Sequence, residues 1–593
     1  MKTLLFFFSL LLLVTTATAA EENNSYTYAD PKTSPVLEQL HKKAAQQLVA
    51  TQNSWLKLYG KLPPKLRHAF EPAAIKAAQL RRPAMKFLIN RWPDLALELT
   101  LGHLTRATLP ANVLALLERQ LDGTGDVMRL SSRSSFDGKT SFCIDPDELQ
   151  LSVKGETFFN PAVYGRRLLQ RSKEGLPVHG IVLDNLFAWS EEPFRLLDAL
   201  ERQENKIPAD GLGVIVGTSI VPLKTTAALD DLRRTLLLSE SYPGPLLHPR
   251  PKSEAEALAY TREWTTGPKT LLWVPVDFDE APGSTFTRSA DTDYIVAQAD
   301  EWLQAISRRK TSIEATYFPE VLRLPAGSLG FPNFNGRTLI NALAAYDAAH
   351  GATGRWLGTS WDRVAFVSSV PIPNPDGSIA RGAATVDGRY MMFYGLIDRF
   401  FMHHELGHSY LFGHSDYFRP ATANLAGPGT VLTGINWDFM GQAGGDQRSH
   451  PNGFYKMNSY WFEPTEWKDA SAGGRFYLSA HDTGPRNKPR GLLIRTDGVR
   501  EYWVDMRRLW PEETDLSTGV QIHYWERRSP TEVYPIGMNA IGRPSPSLST
   551  ESPFQAGEVF EDLDRGVRIT ISTVGLDPTA LGVHYALIDV ERF

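Results

Sequence analysis

Residues 403–414 read HHELGHSYLFGH and hold four histidines and one glutamate. His404 and His408 are four residues apart, so on a helix both imidazoles lie on one face and can bind the same metal ion. Glu405 lies beside that face and can take a proton from a metal-activated water without being a ligand itself. Imidazole ligands that leave one position open for water are typical of catalytic Zn²⁺. The segment therefore predicts a zinc site with Glu405 as general base.

A third ligand has to come from beyond the helix, since a straight helix carries later residues away from the ion. We expect Gly413 to adopt a left-handed conformation at the helix end and to turn His414 back to the metal. Asp416 is the alternative third ligand, because carboxylate oxygens also bind zinc. His403 points away from the ligand face, which favours a surface position or a supporting role.

These residues resemble the signature HExxHxxGxxH of the metzincin clan of zinc endopeptidases. His404, Glu405, His408 and His414 fall at its functional positions, but Leu411 stands where the family has glycine. The resemblance implies a metzincin-like α+β catalytic domain that hydrolyses peptide bonds in proteins or peptides.

Two later segments extend the resemblance. The stretch NWDFMG at 436–441 resembles the family's Met-turn, which would place Met440 beneath the metal as structural support. The stretch FYKMNSYW at 454–461 resembles gametolysin-like and immune-inhibitor-A-like secreted peptidases. Residues 381–388 resemble the substrate-edge strand of such domains. A calcium ion occurs in enzymes of this kind, but the sequence indicates no site for it.

Cys143 is the only cysteine, so no internal disulfide can form. A free cysteine is usually a small buried apolar residue. Its context CIDPD also resembles, without the flanking arginine, the cysteine switch that keeps matrix metallopeptidases latent. Both interpretations, a buried thiol and a latency switch in a zymogen, remain open at this stage.

The start of the chain predicts export. Lys2, an apolar stretch from Leu4 to Val14 and the small residues Ala17-Thr18-Ala19 are typical of a cleaved signal peptide at 1–20. We therefore expect a secreted or periplasmic protein without stable membrane insertion after cleavage. The net charge of -5 gives no basic footprint for nucleic acid. The sequence does not indicate an oligomeric state.

The elements around the motif suggest a multidomain chain. Its predicted units are a helical N-terminal region or pro-region at 21–125, a mixed α/β accessory region or pro-region at 126–265, the catalytic domain at 266–465 and a β-sandwich accessory domain at 466–593. Helices are predicted at 36–49, 73–88, 111–121, 190–204, 227–239, 338–349 and from about Leu396, together with one capped by Asp291 or Thr292. A cluster at Asp122–Gly125 predicts a boundary.

Strands are expected on both sides of the motif. Those before it are predicted at 178–183, 271–278, 364–370 and 381–387, and those after it at 475–478, 492–494, 502–506, 520–525, 567–571 and 583–590. The main hypothesis is a secreted zinc endopeptidase. The alternative is a surface-binding or adhesive protein whose metallopeptidase domain is degenerate and inactive.

Overall fold

The computed structural model describes residues 35–130, 134–136, 141–143, 148–163, 172–208, 210–240, 253–328, 336–373, 379–380, 382–386, 388–420, 429–432, 438–441, 450–485, 487–496, 500–508, 518–526, 538–541 and 553–593. The predicted signal peptide at 1–20 lies outside these residues. Over the described ranges the chain mixes helices with several sheets, in agreement with a mixed α and β class. None of the helices described is both long and apolar enough to cross a membrane.

Helices fill the first part of the chain. The two long ones are Pro35–Gly60 and Pro64–Arg91, and three short ones follow at Pro93–Glu98, His103–Arg106 and Ala111–Leu114. The proline pair at 63–64 lies between the long helices, and Pro64 takes the first position of the second helix, where its missing N–H leaves no hydrogen bond unmade. Buried Arg81 donates to buried Glu118 at 2.9 Å and ties this helical region to the start of the next strand.

The predicted helix at 111–121 is wrong beyond Leu114. A strand, Arg119–Leu130, begins there and runs through the Asp122–Gly125 cluster without a break. Its glycines serve close strand packing, since a Cβ on Gly125 would lie 2.6 Å from the carbonyl oxygen of Ser152. Glycine inside a strand often marks a bulge or a close backbone approach.

The N-terminal sheet has six strands. In spatial order they are Glu156–Phe159, Glu148–Val153, Arg119–Leu130, Lys173–Leu183, Leu186–Trp189 and Ala162–Val163. A three-stranded sheet follows, built from Ser219–Leu223, Leu212–Val216 and Arg195–Leu196, with helices Ala199–Glu204, Thr226–Glu240 and Glu254–Thr265. The helix predicted at 190–204 begins only at Ala199, because Asp198 caps it by accepting from Glu201 N at 2.9 Å.

The central sheet carries the predicted metal motif. Its strands in order are Thr311–Tyr317, Gly267–Phe278, Arg363–Ser368, Tyr390–Tyr394 and Gly382–Ala384, and Leu322–Leu324 also pairs with Gly267–Phe278. All pairings are parallel except the last, so Gly382–Ala384 is an antiparallel edge strand. Alternate residues of the strand Gly267–Phe278 pack into two different cores. Leu271 and Trp273 lie in one, and Leu272 and Val274 lie in the other. A sheet with both faces covered explains why these strands are almost wholly apolar.

Three helices cover this sheet, at Ala290–Ser307, Gly336–Ala349 and Arg399–Ser409. The first was expected to be capped by Asp291 or Thr292, which is wrong. Ser289 is the cap: its hydroxyl accepts from Thr292 N at 3.2 Å, while Thr292 Oγ1 accepts from Ser289 N at 2.8 Å. Thr292 is thus the third residue of the helix, and it returns a hydrogen bond to the cap as in a capping box instead of being the cap itself.

A four-stranded joining sheet links the two parts of the chain. It consists of Ile372–Pro373, Ile379–Ala380, Ser134–Phe136 and Ser141–Cys143 in that order. The first two strands belong to the region of the central sheet, and the last two follow the N-terminal strand Arg119–Leu130 in the chain. The N-terminal region therefore pairs directly with the segment that precedes the edge strand.

Two further sheets form the C-terminal part. The longer has Gly429–Leu432, Ser415–Pro420, Met538–Ile541, Gly519–Glu526, Arg500–Arg507, Gly491–Arg495 and Trp467–Asp469 in order. The shorter has Gly474–Ser479, His584–Arg592, Val567–Leu576 and Val559–Asp562. Residues of both sheets, such as Val504 and Ile569, share one core. The six strands predicted after the motif are all present, but the longer sheet also recruits two strands from before residue 466.

Candidate metal centre

The helix Arg399–Ser409, called the site helix below, begins three residues later than the sequence predicts. Asp398 caps it by accepting from Phe401 N at 3.0 Å. Every residue from Phe401 to Ser409 is buried. Polar residues are common on a solvent-exposed helix, but burying three histidines and a glutamate is costly unless they have partners.

Three histidines converge at this helix. The candidate ligand nitrogens of His404, His408 and His414 all lie within 4.8 Å of one another. His404 and His408 are buried, and His414 is partly exposed. Their rings are close as well, with centroid distances of 4.9 Å between His404 and His408 and 5.3 Å between His404 and His414. Three imidazoles around one point, one of them reachable from solvent, could hold a metal ion.

Backbone carbonyls fix the orientation of the two helix histidines. Nδ1 of His404 lies 2.8 Å from the carbonyl oxygen of Phe439, and Nδ1 of His408 lies 2.8 Å from that of Phe412. These contacts assign the ring proton to Nδ1 and leave Nε2 with its lone pair, as for metal-bound histidines. Nε2 of His408 is buried and has no hydrogen-bond partner among the described residues. A buried acceptor without a partner is costly unless something else binds it.

The turn that returns His414 is made at Leu411. Leu411 has a φ of 76°, whereas Gly413 has no positive φ among the residues described here, so the prediction for Gly413 is wrong. The left-handed residue therefore stands at the position where the metzincin signature has glycine. Beyond the turn, the hydroxyl of Tyr455 donates to the carbonyl oxygen of His414 at 3.1 Å. Tyr455 belongs to the helix Gly453–Asn458, which thus holds the returning chain in place.

Met440 is fully buried beneath the site helix. It lies in a tight turn closed by Gly441 N donating to the Asp438 carbonyl at 2.8 Å. A Cβ added to Gly407 would approach the sulfur of Met440 to 2.6 Å, so the helix and this turn meet at a residue without a side chain. The Met440 carbonyl also accepts from Ser415 N at 3.0 Å. The turn thus supports the helix on one side and the His414 segment on the other.

Burial dominates the electrostatics of the centre. It raises the pKa of Glu405 to about 8, against the opposing charge of His414. It lowers the pKa of His404 to about 3 and holds that of His408 well below its ordinary value, with His414 adding to both effects. Neutral imidazoles are the form that binds metal ions. Oε2 of Glu405 is buried and has no hydrogen-bond partner in the described part of the chain.

No family model matches this chain, and no curated protein is significantly similar to it. The centre is therefore interpreted from its own residues.

The other residues singled out in the sequence lie in different places. For Asp416 the structure describes the backbone alone, which lies in the strand Ser415–Pro420. The same holds for Cys143, whose backbone ends the strand Ser141–Cys143 and pairs with Ser134. His403 is buried and stacks on Trp302 at a centroid distance of 4.5 Å, so its expected surface position is wrong.

Two residues that shape the centre were not singled out individually in the sequence, although Gly382 lies in the stretch 381–388 that resembles an edge strand. Gly382 of the edge strand approaches Glu405 so closely that an added Cβ would lie 2.6 Å from Oε1. Arg129 of the N-terminal sheet is near enough for its charge to add, after burial and the neighbouring histidines, to the lowering of the His408 pKa. The close approach of Gly382 to Glu405 and the effect of the Arg129 charge on His408 both join segments that are far apart in the chain, and no local spacing encodes them.

Arg363 secures the end of the site helix. It is fully buried and donates to the hydroxyl of Ser409 at 2.8 Å and to the Ser409 carbonyl at 3.2 Å. Trp264 Nε1 donates to the same carbonyl at 3.0 Å, and the guanidinium lies 4.1 Å from the Trp264 ring centroid. A cation at a helix C-terminus satisfies carbonyls that have no partner within the helix.

Proposed function

We propose that this protein is a secreted zinc-dependent endopeptidase of metzincin type. The observation that carries the proposal is the convergence of the ligand nitrogens of His404, His408 and His414 within 4.8 Å, next to the buried carboxylate of Glu405. The donor set suits zinc, since three neutral imidazoles leave a fourth position for water. The left-handed turn at Leu411 and the buried Met440 beneath the helix add support, because both stand where the metzincin signature expects them.

The chain's own residues divide the chemistry between them. His404, His408 and His414 would hold the ion, with the carbonyls of Phe439 and Phe412 keeping the first two rings in their binding orientation. The bound ion supplies Lewis-acid activation of water and of the scissile carbonyl. Glu405, kept ionised by the positive charge of a bound ion despite its burial, would accept the proton of the attacking water at Oε2, which has no partner among the described residues, and then donate it to the leaving amine.

An extended polypeptide is the substrate class that fits the centre. The edge strand Gly382–Ala384 runs beside Glu405 and is antiparallel to Tyr390–Tyr394 at the end of the central sheet. A chain added alongside such an edge is held by backbone groups and presents its peptide bonds in regular register.

The remaining parts of the proposal concern the chain around the centre. Residues 266–465 would be the catalytic domain and 466–593 a β-sandwich accessory domain, whose two sheets share a core. The N-terminal region 21–265 would be a pro-region or an accessory region, and the signal peptide at 1–20 would direct export. The long region that precedes the proposed catalytic residues would suit an exported peptidase made as a zymogen.

The test combines metal content with cleavage. Purified full-length protein should bind about one zinc ion per chain and cleave casein in a chelator-sensitive manner. Glu405→Ala should keep the zinc and lower kcat by about 10² to 10⁴, because it removes general acid–base catalysis. His408→Ala should lose both zinc and cleavage.

His68→Ala is the matched control, since His68 is 91% exposed and should change neither zinc content nor rate. Absence of zinc from the wild-type chain would refute the proposal. Stoichiometric zinc without cleavage by any form of the chain would favour the surface-binding alternative.

A further inference from the structure

The two long N-terminal helices carry a positive charge that the net charge of the whole chain conceals. Residues 35–91 hold eleven of the 62 Lys and Arg residues but only two of the 67 Asp and Glu residues. The chain as a whole is acidic, with a net charge of -5. A concentration of one sign of charge creates a local field that attracts ions of the opposite sign. The helix pair is therefore a basic region within an acidic protein.

The charge is most one-sided where the two helices meet. Residues 57–70, called the hairpin tip below, contain no Asp or Glu. The tip has three exposed lysines, and none of them takes part in an ion pair between described residues; they are Lys57, Lys61 and Lys65. Further along the second helix, by contrast, Arg81 and Arg82 are paired with carboxylates. The unneutralised cations are thus gathered at the tip.

Large apolar side chains are exposed among these lysines. Leu58, Leu66 and Phe70 are 61%, 47% and 48% exposed. Leu66 and Phe70 are four residues apart on the helix Pro64–Arg91 and therefore lie on one face. This helix has no buried residue before Ala74, so its first turns stand clear of the core. Neighbouring apolar side chains on an exposed helix end form a surface that a partner can cover.

The tip is held in shape from beneath. Tyr59 is buried in the same core as Ala74, and Leu62 packs against that core. The side chain of Arg67 donates to the carbonyl oxygen of Thr108 at 3.3 Å. The exposed groups are thus presented on a folded support, which lowers the ordering cost of binding a partner.

The basic residues at the tip oppose the dipole of the helix that carries them. Lys65 and Arg67 stand in the first turn of Pro64–Arg91, which has no acidic residue there and no capping side chain. A helix N-terminus carries partial positive charge, so added cations destabilise it and nearby anions stabilise it. The free chain therefore has a cost at this end, which an anionic surface would offset.

We propose that the hairpin tip docks on a lipid bilayer that carries anionic headgroups. The lysines would bind the headgroups, while Leu58, Leu66 and Phe70 would enter the boundary between headgroups and acyl chains. A water-soluble polyanion such as nucleic acid would use the lysines but would leave these apolar side chains in water, so the lipid surface is favoured. The docking does not depend on the proposed peptidase activity.

Vesicle sedimentation tests the docking on the full chain carrying Glu405→Ala, which prevents self-cleavage by the proposed chemistry. The chain should bind vesicles of phosphatidylglycerol mixed with phosphatidylcholine at least about tenfold more tightly than vesicles of phosphatidylcholine alone. About 0.5 M NaCl should reduce this difference, because salt screens exposed charges. The apolar segment at 4–14, where it is retained, would add equally to both kinds of vesicle, so the difference between them is the readout.

Two variants of the tip separate charge from apolar contact. The triple variant Lys57→Gln, Lys61→Gln, Lys65→Gln should weaken binding to the anionic vesicles at least about tenfold, since each basic side chain near such a surface contributes. The double variant Leu66→Ser, Phe70→Ser should weaken it by a similar factor while leaving its salt dependence in place. All five substituted side chains are exposed, so the far-ultraviolet circular dichroism should not change.

Two matched controls remove the same groups elsewhere. One is Lys206→Gln, Lys224→Gln, Lys468→Gln, at exposed lysines. The other is Leu563→Ser, Leu581→Ser, at leucines that are 61% and 105% exposed. Both controls should bind like the parent.

Equal binding of the parent to both kinds of vesicle would overturn the proposal, and so would parent-like binding by either tip variant. Binding of a DNA duplex that needs the three lysines but not Leu66 and Phe70, without vesicle binding, would assign the tip to nucleic acid instead. Neither result bears on zinc or casein cleavage, so this proposal and the proposed function fail separately.

Discussion

Leu411 joins a buried side chain to a left-handed backbone with a φ of 76°. The left-handed conformation costs a residue with a Cβ about 1 to 2 kcal/mol, and glycine avoids this cost. The buried side chain offsets part of it through its contacts in the core. This balance explains how the turn towards His414 forms without the glycine that the metzincin signature has there.

Substitutions at Leu411 separate the cost of its left-handed backbone from the stabilisation by its buried side chain. We expect Leu411→Ala to destabilise the protein more than Leu411→Gly, by about 1 kcal/mol, since both lose the side chain but only glycine relieves the backbone. Urea unfolding of the two variants measures the difference. Greater stability of the alanine variant would contradict a left-handed Leu411.

Gly407 is the residue at which the site helix meets the Met440 turn. An added Cβ would lie 2.6 Å from the Met440 sulfur and 2.6 Å from the Phe439 ring. We expect Gly407→Ala to lower the free energy of unfolding by about 1 to 3 kcal/mol through overpacking, although alanine is the better helix former. It should also weaken zinc binding, because Phe439 moves with the carbonyl that orients His404.

Thermal unfolding and zinc titration of Gly407→Ala provide the two readouts. Gly102→Ala is the control, since a Cβ at Gly102 meets no atom within 4 Å. An unchanged zinc affinity in a destabilised Gly407→Ala protein would show that the turn supports the fold but not the metal centre.

At the scale of elements, the site helix depends on its two ends. Asp398 satisfies the N-terminus, and buried Arg363 satisfies the C-terminus through Ser409. The C-terminal end matters more for the centre, because the turn at Leu411 and the returning His414 start from it. Arg363 is therefore a positioning residue in this fold.

We expect Arg363→Lys to lower the free energy of unfolding by about 2 kcal/mol. Lysine keeps the charge but cannot reach the Ser409 hydroxyl and the backbone carbonyls at once with a single ammonium. Zinc affinity should fall with it, measured by competition with a chromogenic chelator. Arg355→Lys, an exchange at an exposed arginine, should leave both values unchanged.

At the scale of the whole molecule, a buried polar cluster joins the region of the candidate metal centre to the C-terminal sheets. Lys456 donates to Nδ1 of His450 at 2.7 Å and to Nδ1 of His481 at 3.1 Å, and all three are buried. Burial lowers the pKa of Lys456 to about 7, an effect that nearby arginines increase and carboxylates oppose. The charged groups around it are Asp482, Arg507, Arg308 and Asp505.

This cluster predicts a rise of stability with pH above neutrality. Between about pH 7 and its ordinary pKa of 10.5, Lys456 is protonated in the unfolded chain but not in the folded one. The unfolded state then binds more protons, so the free energy of unfolding rises with pH. From pH 7 to 9 the contribution is about 2 kcal/mol.

Lys456→Met should lack this rise, which urea unfolding at pH 7, 8 and 9 can measure. Lys468→Met, at an exposed lysine, should keep the wild-type slope. Parallel pH profiles for the wild type and Lys456→Met would refute the assigned protonation change.

Local spacing was sufficient to predict much of the centre. The four-residue interval between His404 and His408 requires only a helix, and the apolar alternation of the later strands requires only a sheet. Ser289 was missed as a cap because Asp291 and Thr292 compete for the role and side-chain geometry decides among them, whereas Asp398 was missed because the apolar residues at 396–397 extended the predicted helix past its cap.

By itself, the sequence determined the helix that carries two imidazoles and a carboxylate, and most of the strands that follow it. Periodicity and spacing are local properties, and they act over a few residues. Only the tertiary structure decided that Leu411 makes the turn, that Gly382 approaches Glu405, and that the segment Ser134–Phe136 pairs with Ile379–Ala380. Those features depend on which distant segments share backbone hydrogen bonds and core volume, and residue spacing along the chain does not encode that choice.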